Sequence, residues 1–146
     1  MKKDKIVGII SALLVLLFIY AGFSKLFNME EFTGTLSNQP ISHRLALGIA
    51  WSVPIIEILI ASCLLFEGTK KTGFYASFLL LSIFTLYIGA VLLHFFPRTP
   101  CSCGGVIRKL SWQQHLWFNF FFLFLSLLAI FLETKKPIPS QINSLL

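Results

Sequence analysis

Four long apolar stretches, separated by short polar connections, constrain this chain more than any other feature. They cover about residues 6–24, 45–66, 73–96 and 111–132. An α-helix needs about 20 apolar residues to cross the hydrocarbon core of a bilayer, and each stretch is close to that length. Because lipid cannot satisfy backbone polar groups, isolated stretches of this kind can cross it only as helices. The sequence therefore predicts four transmembrane helices.

The composition argues against a soluble globular domain. Hydrophobic residues make up 56% of the chain, whereas charged residues make up 12% and fall mostly in short clusters. A soluble domain needs polar side chains over most of its surface. We expect one all-α membrane domain over residues 1–146, an up-down four-helix bundle in which short connections make neighbouring helices antiparallel. Anchoring to the lipid bilayer accounts for the net charge of +6, so we expect no nucleic-acid partner.

The distribution of lysine and arginine predicts the orientation. With the amino terminus inside, seven of these residues lie on the cytoplasmic side and five outside, which has the sign of the positive-inside rule. The first apolar stretch is longer than the core of a signal peptide, so we expect it to be retained. The sequence thus predicts a multi-pass protein of the cell (inner) membrane. Both termini would be cytoplasmic and the connection over residues 97–110 would face outward.

Each predicted helix has one stripe of small or polar residues, which we expect to face the bundle interior. The stripes are Ser11, Val15, Phe18, Gly22 and Lys25; Ala50, Pro54, Glu57 and Ala61; Ile83, Tyr87, Ala90 and His94; and His115, Asn119, Phe122 and Ser126. A carboxyl group at the depth of Glu57 must be neutral, paired or hydrated. Its candidate partners are Lys25, Tyr87, Asn119 and Ser126. Two roles stay open for Glu57: a packing latch between helices, and a proton acceptor.

Cys101 and Cys103 stand one residue apart in the connection before the fourth helix. A disulfide between them would close a very small, strained ring, and strained disulfides exchange readily. Positive charge from Arg98, Arg108 and Lys109 favours the thiolate form, and disulfides form on the outer side of the membrane. The pair is a candidate redox centre. The alternative is a pair that never turns over, in a non-catalytic scaffold.

Metal binding is a second alternative for the same sulfur atoms. Cys101, Cys103, His94 and His115 together offer ligand types that copper and zinc prefer. The two histidines have a simpler explanation as polar residues at helix ends. Cys63 lies about 18 Å below the outer interface at about 1.5 Å per residue, and we expect it to be a buried structural thiol.

Three motifs follow one another at defined places in the predicted helices. They are Ala21-Gly22-Phe23-Ser24-Lys25-Leu26, then Pro54-Ile55-Ile56-Glu57, then Cys101-Ser102-Cys103-Gly104-Gly105 followed by Ser111-Trp112. In this order the chain resembles the MauE/DoxX-type redox-associated membrane proteins, from Ile6 to about Leu132. Ser102 and Gly104 replace the glycine and phenylalanine that are commoner in that family, which indicates a separate branch and leaves its partner open.

The resemblance implies a function for four residues of these motifs. Cys101 and Cys103 would be the redox pair, and Lys25 and Glu57 the signature polar residues of the bundle. MauE proteins are associated with maturation of methylamine dehydrogenase through disulfide formation outside the membrane. We therefore expect a thiol–disulfide oxidoreductase, or an accessory factor to one, with an extracytoplasmic cysteine-containing or thioredoxin-like partner. Whether this chain serves methylamine dehydrogenase stays open.

The electron acceptor is also open at this stage. One candidate is a second thioredoxin-like protein, and the other is a quinone held in a polar pocket between the helices. The candidate contacts of such a cofactor are Tyr87, His94, His115 and Asn119.

Overall fold

The computed structural model describes residues 2–38, 41–95 and 111–135, and within these ranges it contains helices and no strands. The helices are α1 (Lys2–Phe27), α2 (Met29–Ser37), α3 (His43–Leu65), α4 (Lys70–Leu92) and α5 (Trp112–Thr134). Helices α1, α3, α4 and α5 are long and apolar enough to cross a membrane. The predicted all-α bundle with four membrane helices is confirmed.

The four membrane helices pack as a ring in chain order. Helix α1 packs on α3, α3 on α4, and α4 on α5, which closes the ring against α1. The helices alternate in direction, so α1 ends where α3 begins, and α4 ends where α5 begins. We call this side of the bundle the Lys25 end. The opposite side, which holds the start of α1, the α3–α4 connection and the end of α5, is the Lys70 end.

Capping side chains fix where two of the membrane helices begin. At α3, the Oγ of Ser42 accepts a hydrogen bond of 3.3 Å from the backbone N–H of Leu45. At α5, Ser111 and Gln114 form a capping box, in which each side chain accepts a hydrogen bond from the other residue's backbone N–H. Such boxes satisfy backbone donors that the first helical turn leaves without partners. Helix α5 accordingly begins at Trp112, directly after Ser111.

Helix α4 ends in a Schellman motif at His94. The N–H groups of His94 and Phe95 donate to the carbonyls of Val91 and Ala90, each at 3.1 Å. His94 has a φ of 58°, a left-handed conformation that glycine usually supplies at this position. A side chain makes that conformation costly. The imidazole of His94 is exposed. Within the described part of the chain, the role of His94 is to terminate α4.

The centre of the bundle is apolar and closely packed. Phe18, Leu14, Leu64 and Phe74 are among its largest fully buried side chains. Gly73 allows α4 to approach α3, because a Cβ at this position would lie 2.9 Å from two side-chain carbons of Leu64. On the outside, many large apolar residues are exposed, as expected for faces that contact lipid.

The connection between α1 and α3 contains the short helix α2, which the sequence analysis did not predict. Its Phe32 and Leu36 form a small buried cluster with Ala46 and Ala50 of α3. These apolar residues of α2 recur at a spacing of four, which is enough for one buried stripe. The stripe is too short to stand out from an irregular connection. Helix α2 therefore adds a second, smaller core at the Lys25 end.

Three of the four predicted inward stripes are buried or half-buried throughout. They belong to α1, α3 and α5, with Val15 and His115 as the half-buried members. On α4 the prediction is wrong, because Ile83 is 52% exposed. The buried face of α4 instead includes Ser77, Leu81 and Thr85.

The error on α4 has a physical cause. This helix is apolar on all sides, so hydrophobicity does not distinguish the face toward lipid from the face toward protein. The hydroxyls of Ser77 and Thr85 donate to the carbonyls of Gly73 and Leu81 on the same helix, both at 2.7 Å. Small residues that satisfy their own hydroxyl in this way can pack tightly, and they mark the interior face here.

Candidate functional site

Lys25 and Glu57 form an ion pair inside the bundle. The Nζ of Lys25 lies 2.7 Å from Oε1 of Glu57, and the two side chains are 5% and 1% exposed. Lys25 belongs to the last turn of α1, where the helix dipole favours a cation. Glu57 lies in the interior of α3. Lys25, one of the four candidate partners named from the sequence, is thus in direct contact with the buried carboxylate and joins two helices.

Gly22 and Pro54 bring the two helices close enough for this contact. A Cβ at Gly22 would lie 3.0 Å from the Cγ1 of Ile58, 3.2 Å from the carbonyl oxygen of Pro54 and 3.6 Å from the Cβ of Glu57. Any side chain at Gly22 would therefore push α1 away from α3. The glycine and lysine of one motif pack directly on the proline and glutamate of the other. The two motifs form one structural unit.

Helices α4 and α5 complete the surroundings of Lys25. From α4, the ring of Phe84 lies with its centroid 5.8 Å from the Nζ of Lys25, within the range of a cation–π interaction. From α5, the half-buried imidazole of His115 lies close enough to experience the charge of Lys25. All four membrane helices therefore contribute a side chain to this site. We call Lys25, Glu57, Phe84 and His115 the Lys25 cluster.

Two buried polar atoms, one on α3 and one on α5, have no hydrogen-bond partner within the described ranges. They are Oε2 of Glu57 and Nδ2 of Asn119. Asn119 is 5% exposed and lies one turn beyond His115 on α5. An unsatisfied buried polar group costs about 1–3 kcal/mol. An apolar residue at either position would pack without that cost. One atom is an acceptor and the other a donor. Oε2 of Glu57 is thus able to accept a proton or a hydrogen bond, and Nδ2 of Asn119 is able to donate one.

The other candidate cofactor contacts are less central. Tyr87 is half-buried on α4, and His94 is exposed beyond its end. Cys63 is half-buried rather than buried, and it lies at the Lys70 end, where its carbonyl accepts a hydrogen bond of 2.8 Å from Thr69. Phe84 was not predicted. Helix α4 contains several aromatic residues, and the sequence does not show which of them lies beside Lys25.

The predicted redox pair and the alternative metal site share two cysteines. Cys101 and Cys103 lie outside the described residues. Within those residues, no group of three or more histidine, cysteine, aspartate or glutamate side chains could hold a metal ion. His94 and His115 alone do not make such a group.

A family model described as methylamine utilisation protein MauE matches residues 3–132. The chain belongs to this family. The match covers most of the sequence and includes all three motifs noted above. No match was found among curated proteins or among solved structures. In this MauE-family protein, the first two motifs contact each other inside the membrane bundle through Lys25 and Glu57.

Proposed function

We propose that this MauE-family protein takes part in thiol–disulfide exchange through Cys101 and Cys103, as an oxidoreductase or an accessory factor to one. One observation carries the proposal. The buried Lys25–Glu57 pair lies toward the end of the bundle where α4 ends and α5 begins, and the segment with both cysteines joins those two helices. A charged site in lipid is costly and marks function more often than stability.

The proposed partner is an extracytoplasmic protein with cysteines, or a thioredoxin-like protein. A partner thiolate attacks the Cys101–Cys103 disulfide, so that this bond breaks, a mixed disulfide forms and one sulfur leaves as a thiolate. A second partner thiolate then attacks the mixed disulfide. The partner leaves as a disulfide, and the Cys101–Cys103 pair has gained two electrons and two protons. A thioredoxin-like disulfide or a quinone accepts them to restore the bridge. The reverse sequence would reduce a partner.

Within this function, we assign Glu57 the role of a proton acceptor and Lys25 that of its positioning residue. Thiols must lose a proton before they attack a disulfide. Lys25 holds Oε1 of Glu57, while Oε2 has no partner among the described residues. Oε2 is therefore able to take a proton while the contact with Lys25 persists. His115 and Asn119 are the polar residues of α5 that would continue such a path.

The cysteine role is tested by trapping thiols in cells. A mass-shifting alkylating reagent is applied with and without reductant to the native chain and to Cys101→Ser, Cys103→Ser and Cys63→Ser. We expect mixed oxidised and reduced populations in the native chain. One of the first two variants should trap a partner as a reducible adduct. Cys63→Ser is the matched control and should behave as the native chain.

Other outcomes would support the alternatives. A pair that stays fully oxidised with no adduct indicates a scaffold. Reduced thiols that copper or zinc protects from alkylation indicate a metal-handling protein. Either result would overturn the exchange function.

The proton role is tested separately with Glu57→Gln, which keeps the shape of the side chain and removes its negative charge. We expect the exchange rate to fall and to lose the pH dependence of the native protein. Glu67→Gln is the matched control, since Glu67 is largely exposed and lies in the α3–α4 connection. Normal exchange with a normal pH profile in Glu57→Gln would leave the residue as a packing latch.

A further inference from the structure

A groove on the outside of the bundle lies near the Lys70 end, between α1 and the end of α3. Its volume is about 390 Å³, and its lining includes Gly8, Ala12 and Leu16 of α1, Leu64 and Leu65 of α3, and Lys70 of α4. The groove exists because the α1 residues that line it are small. No atom lies within 4 Å of a Cβ added at Gly8. The groove is thus an apolar channel with one cationic residue in its wall.

An acyl chain is the occupant that suits these walls. An open groove in a bilayer contacts lipid tails, and leaving it unfilled would forfeit dispersion contacts along its whole length. The lining offers little to a polar ligand. Ser11, its hydroxyl-bearing member, already donates to the carbonyl of Leu64 at 3.0 Å.

The charges near the groove favour one kind of lipid headgroup. Lys70 is half-buried in the groove wall and pairs with the exposed Glu67. Lys5 precedes Gly8 by three residues and Ala12 by seven, so helical periodicity puts it on the groove side of α1. Lys3 falls on the opposite side of the same helix. Lys5 and Lys70, from two helices, therefore flank the groove. Asp4 lies on the same side of α1, and Glu67 pairs with Lys70. The lysines near the starts of α1 and α4 still outnumber these two carboxylates, which complements a negatively charged phosphate; they are Lys2, Lys3, Lys5, Lys70 and Lys71.

We propose that this groove binds an anionic phospholipid. Its acyl chain lies along Gly8 and Ala12, and its phosphate lies between Lys5 and Lys70. A zwitterionic lipid has the same acyl chains and no net negative charge, so it binds less tightly. The site is at the end of the bundle opposite the Lys25 cluster, and it does not depend on the thiol–disulfide function.

The test uses the full chain purified in dodecyl maltoside. Native mass spectrometry measures binding of phosphatidylglycerol and of phosphatidylcholine with identical acyl chains. We expect phosphatidylglycerol to bind more tightly. Lys5→Gln and Lys70→Gln should each weaken it about fivefold, because one lysine near an anionic surface contributes about 1 kcal/mol. Lys3→Gln is the matched control, with the same change in charge on the other face of α1, and should change the affinity less than about twofold.

A second variant tests the groove rather than the charge. Gly8→Leu places an apolar side chain in the groove, and no atom lies within 4 Å of its Cβ. It should therefore weaken both lipids while circular dichroism and thermal stability stay close to native. Equal affinity for the two lipids would overturn the proposal. So would equal losses in Lys3→Gln and Lys5→Gln, which would indicate diffuse attraction, or unchanged binding in Gly8→Leu. The lysine variants decide the headgroup question whatever Gly8→Leu does.

Discussion

Two lysine–glutamate pairs occupy opposite ends of the bundle in opposite settings. Lys25 and Glu57 are 32 positions apart, join α1 to α3, and are both buried. Lys70 and Glu67 are three positions apart beside the α3–α4 connection, where Glu67 is 82% exposed. The residue types are the same, so the contrast isolates the effect of the surroundings.

The contrast separates stability from function. An exposed pair contributes about 0–1 kcal/mol, and its loss is easily tolerated. A buried pair must offset the cost of removing two charges from water, and a well-packed apolar pair often does as well or better. The bundle could therefore be held together without Lys25 and Glu57. Their presence together, with one oxygen of Glu57 unsatisfied among the described residues, favours a chemical role at the Lys25 end.

The largest expected effect comes from breaking one pair and not the other. Lys25→Met leaves the Glu57 carboxylate alone in the bundle and should destabilise the protein by about 3–5 kcal/mol. Lys70→Met, the matched control, should cost about 1 kcal/mol or less. Denaturant unfolding in detergent micelles measures both.

The double variant Lys25→Met/Glu57→Leu sharpens this comparison. It removes both charges, so stability should return to near the native value or exceed it. Thiol–disulfide exchange should remain impaired. Equal losses in Lys25→Met and Lys70→Met would contradict the contrast, and a double variant with normal exchange would assign the pair to packing.

The next effect concerns the contact that makes the buried pair possible. Gly22→Ala puts a Cβ 3.2 Å from the backbone carbonyl of Pro54, which cannot move aside as a flexible side chain could. We expect a loss of about 1–3 kcal/mol from overpacking. Gly48→Ala is the control, because no atom lies within 4 Å of its added Cβ, and better helix propensity should stabilise it by up to about 1 kcal/mol. Equal effects in unfolding would show that α1 and α3 are less tightly packed at Gly22.

How much of this could be predicted from the sequence differs between helices. On α3, Pro54, Glu57 and Ala61 were correctly assigned to the interior, because a proline and a carboxylate are unlike everything around them. On α4 no residue stands out in this way, so Ile83 was assigned to the interior although it faces outward. In lipid the outward face is as apolar as the core, and the usual amphipathic signal is lost.

The candidate site also has features that the sequence suggested and features that it did not. The rule that a buried charge needs a partner led the sequence analysis to name Lys25 among four candidate partners of Glu57, and the structure shows the contact with Lys25. The aromatic ring of Phe84 beside Lys25 depends on the rotation of α4 about its axis, which sequence does not fix. Helix α2 was missed because nine residues with one short apolar stripe resemble an ordinary polar connection.

A smaller effect of opposite sign is expected at Asn119. Its amide donor is buried and has no hydrogen-bond partner in the described part of the chain. Asn119→Leu removes that cost and should stabilise the protein by about 1 kcal/mol, with weaker exchange if the residue serves the Lys25 cluster. Ser126→Ala on the same stripe is the control. Ser126 donates to the carbonyl of Leu123 at 2.8 Å, so its loss should not stabilise. Loss of stability in Asn119→Leu would reveal a structural partner.

The smallest effect belongs to the polar contact that joins α1 and α3 at the Lys70 end. The hydroxyl of Ser11 donates to the carbonyl of Leu64 at 3.0 Å. Leu64 lies in the last turn of α3, where carbonyls lack partners within the helix, so Ser11 satisfies an acceptor that would otherwise be buried alone. Ser11→Ala should cost about 0.6 kcal/mol, a typical value for such bonds between membrane helices.

Ser82→Ala is the matched control for this contact. Ser82 donates to the carbonyl of Phe78 on its own helix at 2.7 Å, and that carbonyl already accepts the regular helical hydrogen bond. Its loss should therefore be close to neutral. If Ser11→Ala also proved neutral, water or lipid must satisfy the carbonyl of Leu64 in its place. The contact between α1 and α3 at the Lys70 end would then depend on apolar packing, which includes Val7, Ile10 and Leu64. The contrast with the buried ion pair at the Lys25 end would become sharper.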